Sequence, residues 1–177
     1  LKDSEVESIL AKHGIKAPKR QGGMADDLRF AIQESEINPE NEEFARAFPN
    51  RRAYNLNEAK EHLKVLQGRE FQNRETGIVA KLRRLGIGKL VSNAAREKSV
   101  ANGFSSSDHY TAASNIDTLF ENSVLLDTRP DKDNDPNIQS IKRFSAPILL
   151  NGEFAEAYIT AKESTEHGHN IYSIELD

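Results

Sequence analysis

Apolar positions fall into two regimes along this chain: helical spacing as far as about Ser123, and alternation beyond it. Near the start, Val6, Ile9 and Leu10 form a stripe behind Ser4 and Glu7, a capping-box pair, and Gly14 stands where that helix would stop. Residues 16–27, KAPKRQGGMADD, read as a flexible linker, and short helices are expected around Asp27–Glu34 and Pro39–Phe48. A stronger pattern follows in NEAKEHLKVLQG, with Asn57 as cap, Ala59, Leu63 and Leu66 inward, and Gly68 as the stop. REFQNRETGIVAKLRR alternates around a turn at Arg74–Gly77, which predicts two short strands or a strand with a loop. Ile87–Lys98 predicts one basic helix. Serines 105–107 cap another, SSSDHYTAASNIDTLFENS, whose Ile116, Leu119 and Phe120 face the core.

Past Ser123 the segments VLLD, IKRFSAPILL, FAEAYITAKE and NIYSIEL read as strands, and Asn151-Gly152 joins the second and third as a hairpin turn. Helices first and an antiparallel sheet last make an α+β fold. Within FAEAYITAKES one face carries Ala155, Ala157, Ile159 and Ala161. The other lines up Glu156, Tyr158, Thr160 and Lys162 behind Phe154. That second face is either a solvated surface or the floor of a site.

Composition narrows the choice. Apolar residues make up 37% of the chain and mean hydropathy is -0.67, so one modest core is expected. No apolar run is long enough to span a membrane, and no signal-peptide pattern is present. Cysteine is absent, which removes thiolate chemistry and suits a reducing compartment such as the cytoplasm. The first residue is Leu, so the chain is expected to be a piece of a longer polypeptide. The net charge of -4 hides an asymmetry: residues 1–50 carry 7 basic and 10 acidic side chains, residues 51–100 carry 12 and 5, and residues 101–177 carry 5 and 13. A basic middle third is the footprint a polyanion would use, or it pairs internally with the acidic thirds.

Several familiar sites fail on spacing. GIGK at Gly86–Lys89 is too short for a phosphate loop. DKDND at Asp131–Asp135 begins like a calcium loop but has Pro136 at the sixth position and Lys142 at the twelfth, so it reads as a solvated acidic loop. His167 and His169 in EHGHN read as a turn rather than a zinc site. What remains needs neither metal nor cofactor. His109, placed on the polar side of its helix, is a candidate general base. Lys142, Arg143, Thr160, Lys162 and Tyr172 lie on strands whose pairing would gather cations and hydroxyls into one patch, able to stabilise charge on a phosphate.

The blocks NRETGIVAKLRRLGIGKLVS, DHYTAASNIDTLFENS, DKDNDPNIQSIKRFSAPI, ITAKES and NIYSIEL, in that order from Gly68 to Glu175, resemble the nuclease-like domain of phage and mobile-element polyvalent proteins. That domain is grouped with barnase, EndoU, colicin tRNases and RelE. The resemblance implies a nuclease-like domain over 51–177 with 1–50 as a helical extension or linker, helices packed on an antiparallel sheet, and RNA cleavage without metal or cofactor. It implies His109, Lys89, Arg143, Thr160, Lys162 and Tyr172 as catalytic residues, with Glu163 beside them. Thr76 comes from the Asn-x-x-Thr-Gly block. Lys142 departs from the pattern, standing where relatives carry His, and a lysine is a poor acid or base near neutral pH.

The resulting expectation is an endoribonuclease. His109 would deprotonate a ribose 2′-OH, and the products would be a 2′,3′-cyclic phosphate and a 5′-OH. Arg69, Arg74, Thr76, Lys81, Arg83, Arg84 and Lys142 would face the RNA, and an acidic immunity or antitoxin protein would be a fitting partner. The rival reading is a non-catalytic nucleic-acid- or protein-binding module of a larger protein. A transferase is weaker, since no nicotinamide or nucleoside-triphosphate motif is present.

Overall fold

The computed structural model describes residues 49–177. The helices and linker expected in residues 1–48 lie outside the described residues.

The first helix, α1 (Leu56–Leu66), is capped two residues earlier than expected. The Asn55 side chain, not that of Asn57, accepts the Glu58 N–H at 2.9 Å, and the Glu58 carboxylate accepts the Tyr54 N–H at 2.8 Å. Ala59, Leu63 and Leu66 are buried, as their spacing requires, and Gly68 ends the turn at a φ of 82°. The hairpin of β1 (Glu70–Gln72) and β2 (Val79–Lys81) follows.

Each of the next two helical stretches is split by one polar side chain. Ser92 sits in an extended conformation and accepts the Ala95 N–H, so the expected helix 87–98 becomes α2 (Arg84–Leu90) and α3 (Asn93–Ala101). Asn115 separates α4 (Ser106–Ser114) from α5 (Ile116–Glu121). Its amide donates to the carbonyls of Thr111 and Arg51, each at 2.7 Å, and its Oδ1 accepts the N–H groups of Asn50 and Arg51. A side chain that bonds the backbone this way competes with the helix ladder.

The remaining strands are β3 (Val124–Arg129), β4 (Ile138–Leu150), β5 (Glu153–Ser164) and β6 (Gly168–Leu176), and the sheet order is β1-β2-β6-β5-β4-β3. The β4–β5 turn has Asn151 at φ 52° and Gly152 at φ 77°, the positive values a two-residue hairpin needs. The fold is α+β. One pairing departs from the expected antiparallel sheet: β2 runs parallel to β6, through Ala80↔His169 and Lys81↔Asn170. The early hairpin docks through β2 onto the edge of the last strand.

One sheet face, with Phe144, Ala146, Ile148, Ala157, Ile159, Ala161, Ile171, Ile174 and Leu176, forms the core with Leu63, Leu66, Leu90, Ile116 and Phe120. Phe120 and Phe144 meet edge-on at 5.0 Å. The alanine row lets the helices lie close to the sheet. Gly86 carries this to its limit, because a Cβ there would stand 2.4 Å from the Ile171 carbonyl oxygen. The glycines of GIGK therefore serve packing at their first position. Core spacing in β6 is 171, 174, 176 because Tyr172 is an extra residue: Thr160 pairs with Ser173, and Ala161 with Ile171.

Candidate functional site

His109 does not lie on a polar helix face. The Ser105–Asp108 capping box sets the start of α4, and His109 through Ser114 are then all buried. His109 itself is 0% exposed. Its Nε2 lies 2.8 Å from the Leu90 carbonyl oxygen, which can only accept, so Nε2 carries the proton. Nδ1 then accepts from the Ser99 hydroxyl at 2.8 Å, and Ser99 Oγ accepts the Leu176 N–H at 3.1 Å. The ring thus fastens α2, α3, α4 and β6 together. Burial lowers its pKa, the Leu90 carbonyl acts in the opposite direction, and Arg96 lowers it further. Both nitrogens are occupied within the core, and no substrate proton reaches them.

A cavity of about 790 Å³ opens between the start of α2 and the end of the sheet. Lys81, Arg83 and Arg84 line it from the β2–α2 connection, and Lys162 and Tyr172 from the sheet. Lys162 Nζ stands 3.9 Å over the Tyr172 ring, and Lys89, one helical turn along α2, approaches the same ring at 5.7 Å. The bulge at Tyr172 gives this phenol its place between them. Among the described residues, none of Lys81, Arg83, Arg84, Lys89 and Lys162 forms an ion pair. Two wall atoms, Arg83 Nε and Asn170 Oδ1, are buried without a hydrogen-bond partner. On the opposite rim stand Asp131, Asp133 and Asp135 of the β3–β4 loop, and His167 of the β5–β6 turn. Asp131 is buried rather than solvated, accepting the Asp135 N–H at 3.0 Å.

Arg143 and Thr160 pair in register on the sheet face opposite the helices, one strand position-pair from Lys162. The Arg143 guanidinium lies 4.2 Å from the Tyr158 ring centre. Lys142 points the other way, as the next residue of a strand must. Its ammonium is 3.1 Å from Glu163 and donates to Ser140 at 2.8 Å, and Ser140 donates to Glu163 at 2.7 Å. The Ser140 and Lys142 hydrogen bonds hold the Glu163 carboxyl below its ordinary pKa, and His169, 3.6 Å away, has its own pKa lowered by burial. Thr76 is turn architecture: its hydroxyl donates to Asn73 Oδ1 at 2.9 Å, while Asn73 Nδ2 donates to the carbonyls of Phe120 and Ser123. Arg69 and Arg74 are exposed and do not line the cavity.

The structure therefore gathers Lys81, Arg83, Arg84, Lys89, Lys162 and Tyr172, with Arg143 and Thr160 adjacent. His109, Thr76 and Lys142 belong to separate hydrogen-bonded clusters. His167 and Asp131 were legible only as turn and loop. The one sequence signal is that His167 lies in the turn between the strands that carry Lys162 and Tyr172.

The family model for large polyvalent protein-associated domain 3 matches residues 50–172. This chain belongs to that family. No curated protein and no solved structure matches it. The family's description carries association with large polyvalent proteins, and it names no nuclease and no reaction. In this large polyvalent protein-associated domain, the matched span includes every cation of the cavity and ends at Tyr172. Among the described residues no helix is long and apolar enough to cross a membrane, and no three His, Asp or Glu side chains come together in a way that could hold a metal ion.

Proposed function

We propose that this domain binds RNA in the cavity and cleaves it by attack of the ribose 2′-OH on the adjacent phosphorus, as the barnase, EndoU and RelE resemblance suggests. The observation that carries the reading is the convergence of Lys81, Arg83, Arg84 and Lys162, all without carboxylate partners, around Tyr172 in one cavity. None of these side chains is ion-paired to the Asp131, Asp133 and Asp135 carboxylates that line the same cavity, so the cations repel one another, and a phosphate relieves that repulsion. Lys162 and Arg84 take the non-bridging oxygens, and Tyr172 orients the phosphate.

The base is His167, the imidazole on the cavity rim, and not His109. His167 takes the 2′-OH proton as the 2′-O–P bond forms. The P–O5′ bond breaks, and the departing oxygen takes a proton from water to leave a 5′-OH and a 2′,3′-cyclic phosphate. The nucleophile belongs to RNA, so DNA is not cut, and EDTA leaves the rate unchanged.

The burial of His109 favours one alternative, a module that binds RNA without cutting it. Total tRNA and a mixed-sequence RNA incubated with the 177-residue chain, with product ends mapped, separate the two. Proton transfer by one positioned group contributes roughly 10²–10⁴ in rate, so His167→Ala should lose about that factor. Salt-sensitive binding with no cyclic-phosphate product would leave the binding module standing and the ribonuclease reading refuted.

A further inference from the structure

Beside the cavity, the same sheet face carries a second set of anion-seeking side chains. Arg143 of β4, Thr160 of β5 and Ser173 of β6 stand directly opposite one another in register, so they form one row across three strands. Arg143 rests on a built support. Its guanidinium lies 4.2 Å from the Tyr158 ring centre, Tyr158 donates its hydroxyl to Glu156 at 2.7 Å, and Ser145 donates to the other Glu156 oxygen. Glu156 and Ser145 are both buried. The contact holds the guanidinium over the ring, and among the described residues its N–H groups have no hydrogen-bond partner. Among the described residues Arg143 has no ion pair, and the hydroxyls of Thr160 and Ser173 have no hydrogen-bond partner. Asp127, opposite Arg143 on β3, is 3.9 Å from Arg129.

We propose that Arg143, Thr160 and Ser173 form a second phosphate seat, so that the ligand of this face is a strand with at least two successive phosphates rather than a mononucleotide. The inference rests on the reading of the cavity as the first seat. Thr160 and Lys162 are alternate residues of one strand, about 6.6 Å apart along it, which is a step a single nucleotide can bridge. A planar guanidinium suits two phosphate oxygens at once, and the two hydroxyls suit the others. Glu156 and Tyr158 are positioning residues that touch no phosphate.

The test is a ladder of oligouridylates with one, two and four phosphates, titrated against the 177-residue chain at several salt concentrations. The wild-type chain should gain about tenfold in affinity from one phosphate to two, the size of a charge-assisted contact. Arg143→Gln should erase that gain, leave mononucleotide affinity within about twofold, and lower the salt slope for the longer ligands by about 0.7. Thr160→Val, which removes one half-exposed hydroxyl, should reduce the same increment, and Tyr158→Phe should weaken it with the fold intact by circular dichroism. An unaltered ladder in Arg143→Gln, or equal losses at every length, overturns the second seat. Lys162→Gln tests the first seat separately. If it leaves mononucleotide affinity unchanged, the cavity reading fails and this proposal with it, whereas a clear Lys162 effect with an unaltered Arg143 ladder sinks the second seat alone.

Discussion

Replacing His109 with Ala separates a structural imidazole from a catalytic one. The substitution leaves the Leu90 carbonyl without its donor and removes the acceptor of the Ser99 hydroxyl, both in the core. A buried polar group left unpaired costs about 1–3 kcal/mol, and emptying a core side-chain site adds about 2–3 kcal/mol even with partial collapse. A total of about 3–6 kcal/mol is a large share of an ordinary domain's stability. At about 3 °C per kcal/mol for a chain of this size, the melting temperature should fall by roughly 9–18 °C. His109→Gln, whose amide can still donate to Leu90, should lose about half as much. Calorimetry on both variants, with RNA cleavage assayed well below their transitions, makes the test. A thermally unchanged His109→Ala that has lost cleavage would refute the structural assignment and return the base to His109. The same ring sets a pH dependence. Its folded pKa lies below the ordinary 6.5, so unfolding takes up a proton on acidification. The stabilisation is complete above pH 6.5 and is lost as pH falls from there toward the folded value, by up to about 1.4 kcal/mol per pH unit. The difference between wild type and His109→Gln should narrow over that window.

Gly86→Ala forces a methyl to within 2.4 Å of a backbone oxygen, so α2 must shift, and a loss of about 1–3 kcal/mol should appear in urea denaturation with the slope unchanged. Asn73→Ala takes the amide donor from the Ser123 carbonyl, while the Phe120 carbonyl keeps the Ser123 hydroxyl and N–H, and should cost about 1–3 kcal/mol, again by urea denaturation. In an alkaline ultraviolet titration Tyr158 should ionise above the ordinary tyrosine range, because burial and the Glu156 carboxylate push its pKa up. Tyr158→Phe should remove that step.

The elements were legible where one local signal dominated. Asn151-Gly152 fixed the β4–β5 hairpin, and the spacing of Ala59, Leu63 and Leu66 fixed the buried face of α1. Helix breaks were not, because Ser92 and Asn115 act through their side-chain bonds, and a serine or asparagine within a helical pattern does not reveal whether it will cap or continue it. His109 was misplaced for a tertiary reason: α4 is covered on several sides at once, so no polar stripe exists to be read. The cavity joins Lys81–Arg84 to Lys162–Tyr172 across the parallel β2–β6 contact, a pairing that alternation within one strand cannot announce. Lys142 and Arg143 show the reverse case, since strand period alone separates these neighbours onto opposite faces.

The last strand in the chain is an interior strand of the sheet, lying between β2 and β5. Until residues 168–176 have been made, the β1–β2 hairpin has no neighbour in the sheet, and Ser99 lacks the Leu176 N–H that completes the histidine tie. Closing the sheet therefore waits on contacts nearly a hundred residues apart, which slows folding relative to the local helices and hairpin. A ribosome-tethered chain truncated before β6 should be readily digested by protease, and the nine residues of that strand should confer protection together rather than one by one.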